Sequence, residues 1–147
     1  MQKSFLTISD PGHGWAKVPL AILAELRIIE AITYFSYMRK GFAYLEEDAD
    51  LSEFVAAYRE ETGCSPVFKE LPSSDRYSRV RGYEVYSPSR AAEEVLKQIL
   101  NSSLHFKMRD RKQKTIEYLS GLIPGGENHL LMSFLRSEGR LEVTHIG

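Results

Sequence analysis

Hydrophobic positions alternate in the first half of this chain and recur at helical spacing in the second. Phe5 to Ile8 is rich in strand-favouring residues, Asp10-Pro11-Gly12-His13-Gly14 is a dense group of turn residues, and Trp15 to Val18 resumes the apolar pattern. This stretch predicts a β-hairpin with a long, shaped loop. Pro19 suits a first helical turn and Leu20, Leu23, Ala24 and Ile28 share one helical face, so Pro19 to Ile29 reads as a short amphipathic helix. Tyr34 to Met38 and Phe42 to Glu46, parted by Arg39-Lys40-Gly41, predict a second hairpin. Asp50 or Ser52 is placed to cap a helix running to Thr62, with Phe54, Val55 and Tyr58 inward and Gly63 ending it. Pro66 to Leu71 and Arg79 to Tyr86 read as strands on either side of the loop Pro72-Ser73-Ser74-Asp75.

From Ser87 the period changes. Ser87 as cap, Pro88 at the first position, Ala92, Val95, Leu96 and Ile99 at helical spacing, and Glu93 four before Lys97 define a helix. Asn101-Ser102-Ser103 interrupts it, and a basic helix is expected from Leu104 to Leu122, stopped by Pro124-Gly125-Gly126. A last helix from Asn128 to Glu138 and a strand from Leu141 to Ile146 complete the reading. Strands followed by helices predict an α+β domain: a small, mainly antiparallel sheet with helices packed on one face and a more helical C-terminal half. We expect one domain over residues 1–147, with a possible subdivision into a strand-rich part, 1–86, and a helical part, 87–147.

Composition narrows the classes. A chain of 147 residues, 43% of them hydrophobic, can bury a core without covalent staples. The single cysteine, Cys64, forms no internal disulfide and leaves too few thiolates for a structural zinc site, which fits a reducing compartment. The start MQKSFLTISDPGHG has no signal-like apolar stretch, and no membrane-length apolar run occurs, so a cytoplasmic protein is expected. The net charge of -1 conceals segregation. From Ala43 to Gly63 seven acids stand against Arg59 alone, whereas from Arg76 to Thr115 ten bases stand against four acids. Such asymmetry predicts an acidic face and a basic face.

Three segments, Asp10-Pro11-Gly12-His13-Gly14-Trp15, Tyr34-Phe35-Ser36-Tyr37-Met38-Arg39 and Ala43-Tyr44-Leu45-Glu46-Glu47-Asp48 with Asp50, together resemble a family of small proteins of bacteriophages and mobile elements. That family shares a DPGHGW-like start, a YSYxR-like strand and an AYLEED-like strand. The resemblance covers roughly residues 6–55, and Ala49 stands where the family often carries Cys. It implies a phage or plasmid gene acting in a bacterial cytoplasm, and implies no mechanism.

Four kinds of site compete. His13 between two glycines, followed by Trp15, has the form of a ligand-binding or catalytic loop, and equally of a tight turn with a core tryptophan. Glu46, Glu47, Asp48 and Asp50 offer oxygen ligands or paired carboxylates, and equally are solvated acids that cap the next helix. Arg76, Arg79 and Arg81 with Tyr77 and Tyr83, and Lys107, Arg109, Arg111, Lys112 and Lys114, form two basic runs able to meet phosphates, although a pI near 6.4 is low for a dedicated nucleic-acid domain. Alternation along the aromatic strands leaves one sheet face to present Tyr37, Arg39 and Tyr44, residue types common in interface anchors. Nucleotide-loop, zinc-hydrolase and serine-elbow spacings are absent, so no cofactor, resident metal or catalytic nucleophile is assigned. The leading expectation is a phage or mobile-element accessory protein that acts by binding a host macromolecule, a host protein first and nucleic acid second, as an anti-defence inhibitor or adaptor, with catalysis left open. The alternatives are nucleic-acid binding through 76–114 and a small metal-assisted hydrolase built on His13 and the 46–50 carboxylates. Oligomeric state is not readable from these patterns.

Overall fold

The computed structural model describes residues 3–73, 75–101 and 109–124. Strands β1 (Ser4–Ser9) and β2 (Gly14–Pro19) form the first hairpin, β3 (Tyr37–Arg39) and β4 (Phe42–Glu46) the second, and β5 (Val67–Glu70) and β6 (Glu84–Val85) close the edges. The sheet order is β5-β1-β2-β4-β3-β6, antiparallel throughout except where β5 runs parallel to β1. Helices α1 (Leu20–Glu25), α2 (Leu51–Thr62), α3 (Pro88–Asn101) and α4 (Arg109–Ser120) accompany it. The molecule is therefore α+β, with the greater helical share in its second half. Among the described residues no helix is long and apolar enough to cross a membrane.

Alternation sorts the strands into two faces. Phe5, Ala16, Val18, Met38, Ala43 and Leu45 point to one side, where they join Leu20, Leu23, Phe54, Tyr58, Ala92, Val95, Leu96 and Leu119 in a single core. Each fully buried leucine there contributes about 2 kcal/mol. That core runs from Phe5 to Ile123 and so includes both strand-rich and helical parts. Trp15, Tyr44 and Val80 point to the other side with Ile8, Tyr37, Phe42 and Tyr83 packed around them, a smaller cluster with no α-helical member among the described residues.

Several expected boundaries move, each for a local reason. The first helix stops at Glu25 because Arg27 adopts φ 59°, held there by its guanidinium, which donates to the Ala24 carbonyl and lies over the Tyr118 ring. A 3₁₀ turn, Ile29–Ala31, follows. The expected strand Tyr34 to Met38 shrinks to β3, and Tyr34 and Phe35 fall in a turn before it. Helix α2 ends on Gly63 as expected, at φ 77°, while Asp50 occupies its N-cap position without capping it. In place of a strand over Arg79 to Tyr86 there is a 3₁₀ turn, Arg79–Gly82, and only the two-residue β6. Ser78 starts that turn by accepting from the Val80 N–H. Helix α3 matches the Ser87-Pro88 start. The Ser102–Ser103 interruption, the helix Asn128 to Glu138 and the strand Leu141 to Ile146 lie outside the described residues.

Candidate functional site

The loop between β1 and β2 is built on Asp10. Its carboxylate accepts from the backbone N–H groups of Gly12 and His13, both at 3.1 Å, and from Ser78 at 2.8 Å, and takes two bonds from the Arg81 guanidinium, at 2.7 and 2.9 Å. The Asp10 side chain is fully enclosed. Arg81 holds its carboxyl far below the usual carboxylate range; burial opposes this, and the three N–H donors reinforce it. This fork draws the 78–81 segment over the sheet, which is why that segment turns instead of pairing as a strand. A Cβ at Gly12 would meet Arg81 Nη2 at 2.8 Å and one at Gly14 would meet Glu47 Oε2 at 2.6 Å, so both glycines admit a neighbour.

His13 is thereby held at the end of β4. Its Nδ1 lies 3.2 Å from Glu46 Oε1, while Glu46 Oε2 accepts from the Asp48 N–H at 2.8 Å. Glu46 is 7% exposed, and Asp48 and Glu47 are exposed. His13, Glu46 and Asp48 each offer one ligand atom, all within 4.8 Å of one another. The Trp15 ring is 6.0 Å from His13, its Nε1–H buried with no acceptor among the described residues.

Asp50 turns the other way. It is 2% exposed and accepts from the Thr33 N–H and Oγ1 and from Ser36 Oγ, at 3.1, 2.9 and 2.5 Å. Ser36 Oγ in turn accepts from the Glu46 N–H, so the 33–36 turn is moored to the end of β4. Asp50 is thus neither a solvated acid nor a side-chain cap, and it does not join His13. What it fixes is the turn that displays Tyr34 and Phe35, 67% and 60% exposed, with rings edge to face at 4.8 Å.

The second sheet face, which no α-helix covers among the described residues, carries the expected Tyr37, Arg39 and Tyr44. Tyr44 is buried against Tyr83 at 5.0 Å, Arg39 lies over Tyr83 at 4.9 Å, and Tyr37 is half-buried against Trp15. Of the basic candidates, Arg76 and Arg79 are exposed beside the 75% exposed Tyr77, whereas Arg81 is committed to Asp10 and stacks on Tyr77 at 4.5 Å. Lys114 is exposed on α4; Arg109, Arg111 and Lys112 are on the same helix, with side chains outside the described residues. Cys64 is exposed just after α2.

The residue patterns did not single out Asp10, Thr33, Ser36 or Ser78. Asp10-Pro11-Gly12 carried a local signal, a turn whose aspartate bonds its own backbone, but its partners Ser78 and Arg81 are far along the chain. Compared with protein-family models, with the curated proteins and with the solved structures, the chain has no match in any of the three.

Proposed function

We propose that the chain is an accessory protein of a phage or mobile element that acts in the bacterial cytoplasm by binding a host protein. Its contact surface is the end of the sheet where Tyr34, Phe35, Glu47 and Asp48 stand. The observation that carries this reading is the Tyr34–Phe35 pair: two adjacent, largely exposed rings on a turn that a buried carboxylate holds in shape. Exposed aromatics on a pre-ordered turn lose little entropy on binding and fill a partner's pocket, the property of interface anchors. The exposed acids Glu47 and Asp48 at the same end select a partner whose pocket is rimmed by lysine or arginine.

The test is affinity capture from bacterial lysate with three forms of the tagged chain: wild type, Tyr34→Ala with Phe35→Ala, and Glu47→Gln with Asp48→Asn. The wild type retains one protein in near-stoichiometric amount, released by salt. The aromatic variant loses about 2 kcal/mol or more of binding, roughly a 30-fold drop in affinity, with its thermal melt unchanged. A partner held equally by all three forms overturns the reading. So does a nuclease-sensitive nucleic-acid signal with no protein.

A second reading, nucleic-acid binding, draws on the exposed Tyr77 with Arg76 and Arg79 beside it. Affinity for single strands would then fall steeply with salt and with charge reversal at Arg76 and Arg79. Affinity insensitive to both removes it.

A further inference from the structure

We propose that His13, Glu46 and Asp48 form a binding site for a divalent transition-metal ion. The three side chains come from the β1–β2 loop, the end of β4 and the residues after it, and one ligand atom of each falls within a 4.8 Å group. Ligand atoms sharing an ion at about 2.0–2.2 Å lie roughly 3 to 3.5 Å apart, so a small rotation of the exposed Asp48 closes the set. His13 Nδ1 and Glu46 Oε1 already stand at 3.2 Å.

The surroundings orient these ligands in advance. Glu46 Oε2 is occupied by the Asp48 N–H, which leaves Oε1 to face the imidazole. The His13 backbone is fixed by the Asp10 carboxylate, itself clamped by Arg81. Partners of this kind hold first ligands in place and raise metal affinity. An independent observation lies alongside: the 2% exposed Trp15 packs on His13 and its buried Nε1–H has no acceptor among the described residues. One imidazole with two carboxylates suits zinc, manganese or cobalt, and the nitrogen ligand disfavours magnesium and calcium. Three protein ligands also leave coordination positions for an exchangeable group.

Trp15 is the single tryptophan of the chain and its ring is 6.0 Å from that of His13, so it reports the site directly. The experiment strips the purified full chain with chelator, titrates Co²⁺ while following tryptophan fluorescence, and titrates Zn²⁺ by calorimetry. We expect saturable quenching and one Zn²⁺ per chain. His13→Ala and Asp48→Asn, both at exposed side chains and neutral for folding, each weaken binding roughly tenfold or more. A variant lacking His105, His129 and His145 binds as the wild type does. Absence of saturable binding at millimolar ion, full affinity in His13→Ala, or loss of affinity in the triple-histidine variant each overturns the site. Asp48 belongs to both surfaces, but the titrations use the isolated chain and His13 and Glu46 lie outside the contact surface, so loss of metal binding in His13→Ala with capture of the partner intact separates the two proposals.

Discussion

At the scale of single residues, two aspartates decide where the functional loops stand, both beside the end of β4 and each with its own set of donors. Asp10 gathers the His13 loop and the 78–81 segment; Asp50 gathers Thr33 and Ser36. Each is buried, and each is satisfied by several donors, which is the condition under which a buried carboxylate is tolerated. For Asp50 the donors are neutral, so asparagine in its place keeps the size but turns an amide N–H₂ toward groups that also donate. Asp50→Asn should therefore cost about 1–3 kcal/mol, the loss expected when buried donors go unmatched. Urea unfolding checks it, with Glu47→Gln as the exposed control at less than about 0.5 kcal/mol. An Asp50→Asn variant as stable as wild type would mean that the 33–36 turn holds its shape unaided. Neutralising all four acids from 46 to 50 together is uninformative about partner binding, because Glu46 and Asp50 are structural and only Glu47 and Asp48 face outward.

At the scale of elements, the clearest local signal was the second hairpin, and its turn shows why. Arg39 pairs with Phe42, leaving Lys40 and Gly41 as a two-residue connection with φ 47° and 85°. Positive φ at both positions is the turn that matches strand twist, and Asn-Gly is its preferred pair. Lys40→Asn should stabilise the protein by a few tenths of a kcal/mol, and Gly41→Ala should destabilise it by about 1 kcal/mol. Gly41 has a second constraint, since a Cβ there would meet Gln98 Nε2 at 2.8 Å. Thermal melts of the two variants moving in the same direction would contradict this account. The paired strands, the Gly63 stop of α2 and the Ser87-Pro88 start of α3 were legible because each depends on neighbours in sequence. The 3₁₀ turn at Arg79–Gly82 was not, because its cause is the bond to Asp10. The early end of α1 was hidden for the same kind of reason: Arg27 is held partly by Tyr118.

At the scale of the whole molecule, the charge segregation along the chain is partly undone by folding, since Arg81 of the basic stretch clamps the Asp10 loop that holds His13 against Glu46 of the acidic one. Glu25, Glu53, Glu60 and Glu61, with Lys3, line shallow grooves beside α1 and α2, while Lys17, Arg39 and Arg81 stack on rings of the opposite sheet face. The residue types of the candidate site were legible, and His13 with Glu46 and Asp48 was among the combinations they allowed; that Asp50 leaves the group depends on Ser36 and Thr33. The two halves of the chain meet at Ile29. Tyr86 donates to its carbonyl at 2.6 Å, and Tyr118 on α4 accepts from its N–H at 3.0 Å while donating to Glu30. Burial pushes both phenols above their ordinary value of 10.0, with neighbouring negative groups adding to the effect. A folded-state value raised above the unfolded one means stability that is complete below that ordinary value and lost as pH rises beyond it. For the largely enclosed Tyr86, each pH unit above about 10 costs roughly 1.4 kcal/mol until its folded value is reached. The melting temperature should thus fall steeply in the alkaline range. Tyr86→Phe should lower stability by about 1 kcal/mol at neutral pH and make the alkaline fall shallower, because phenylalanine has no proton to lose. An equal alkaline slope in the two proteins would place the loss in other groups and remove Tyr86 as the joint between the sheet and its helices.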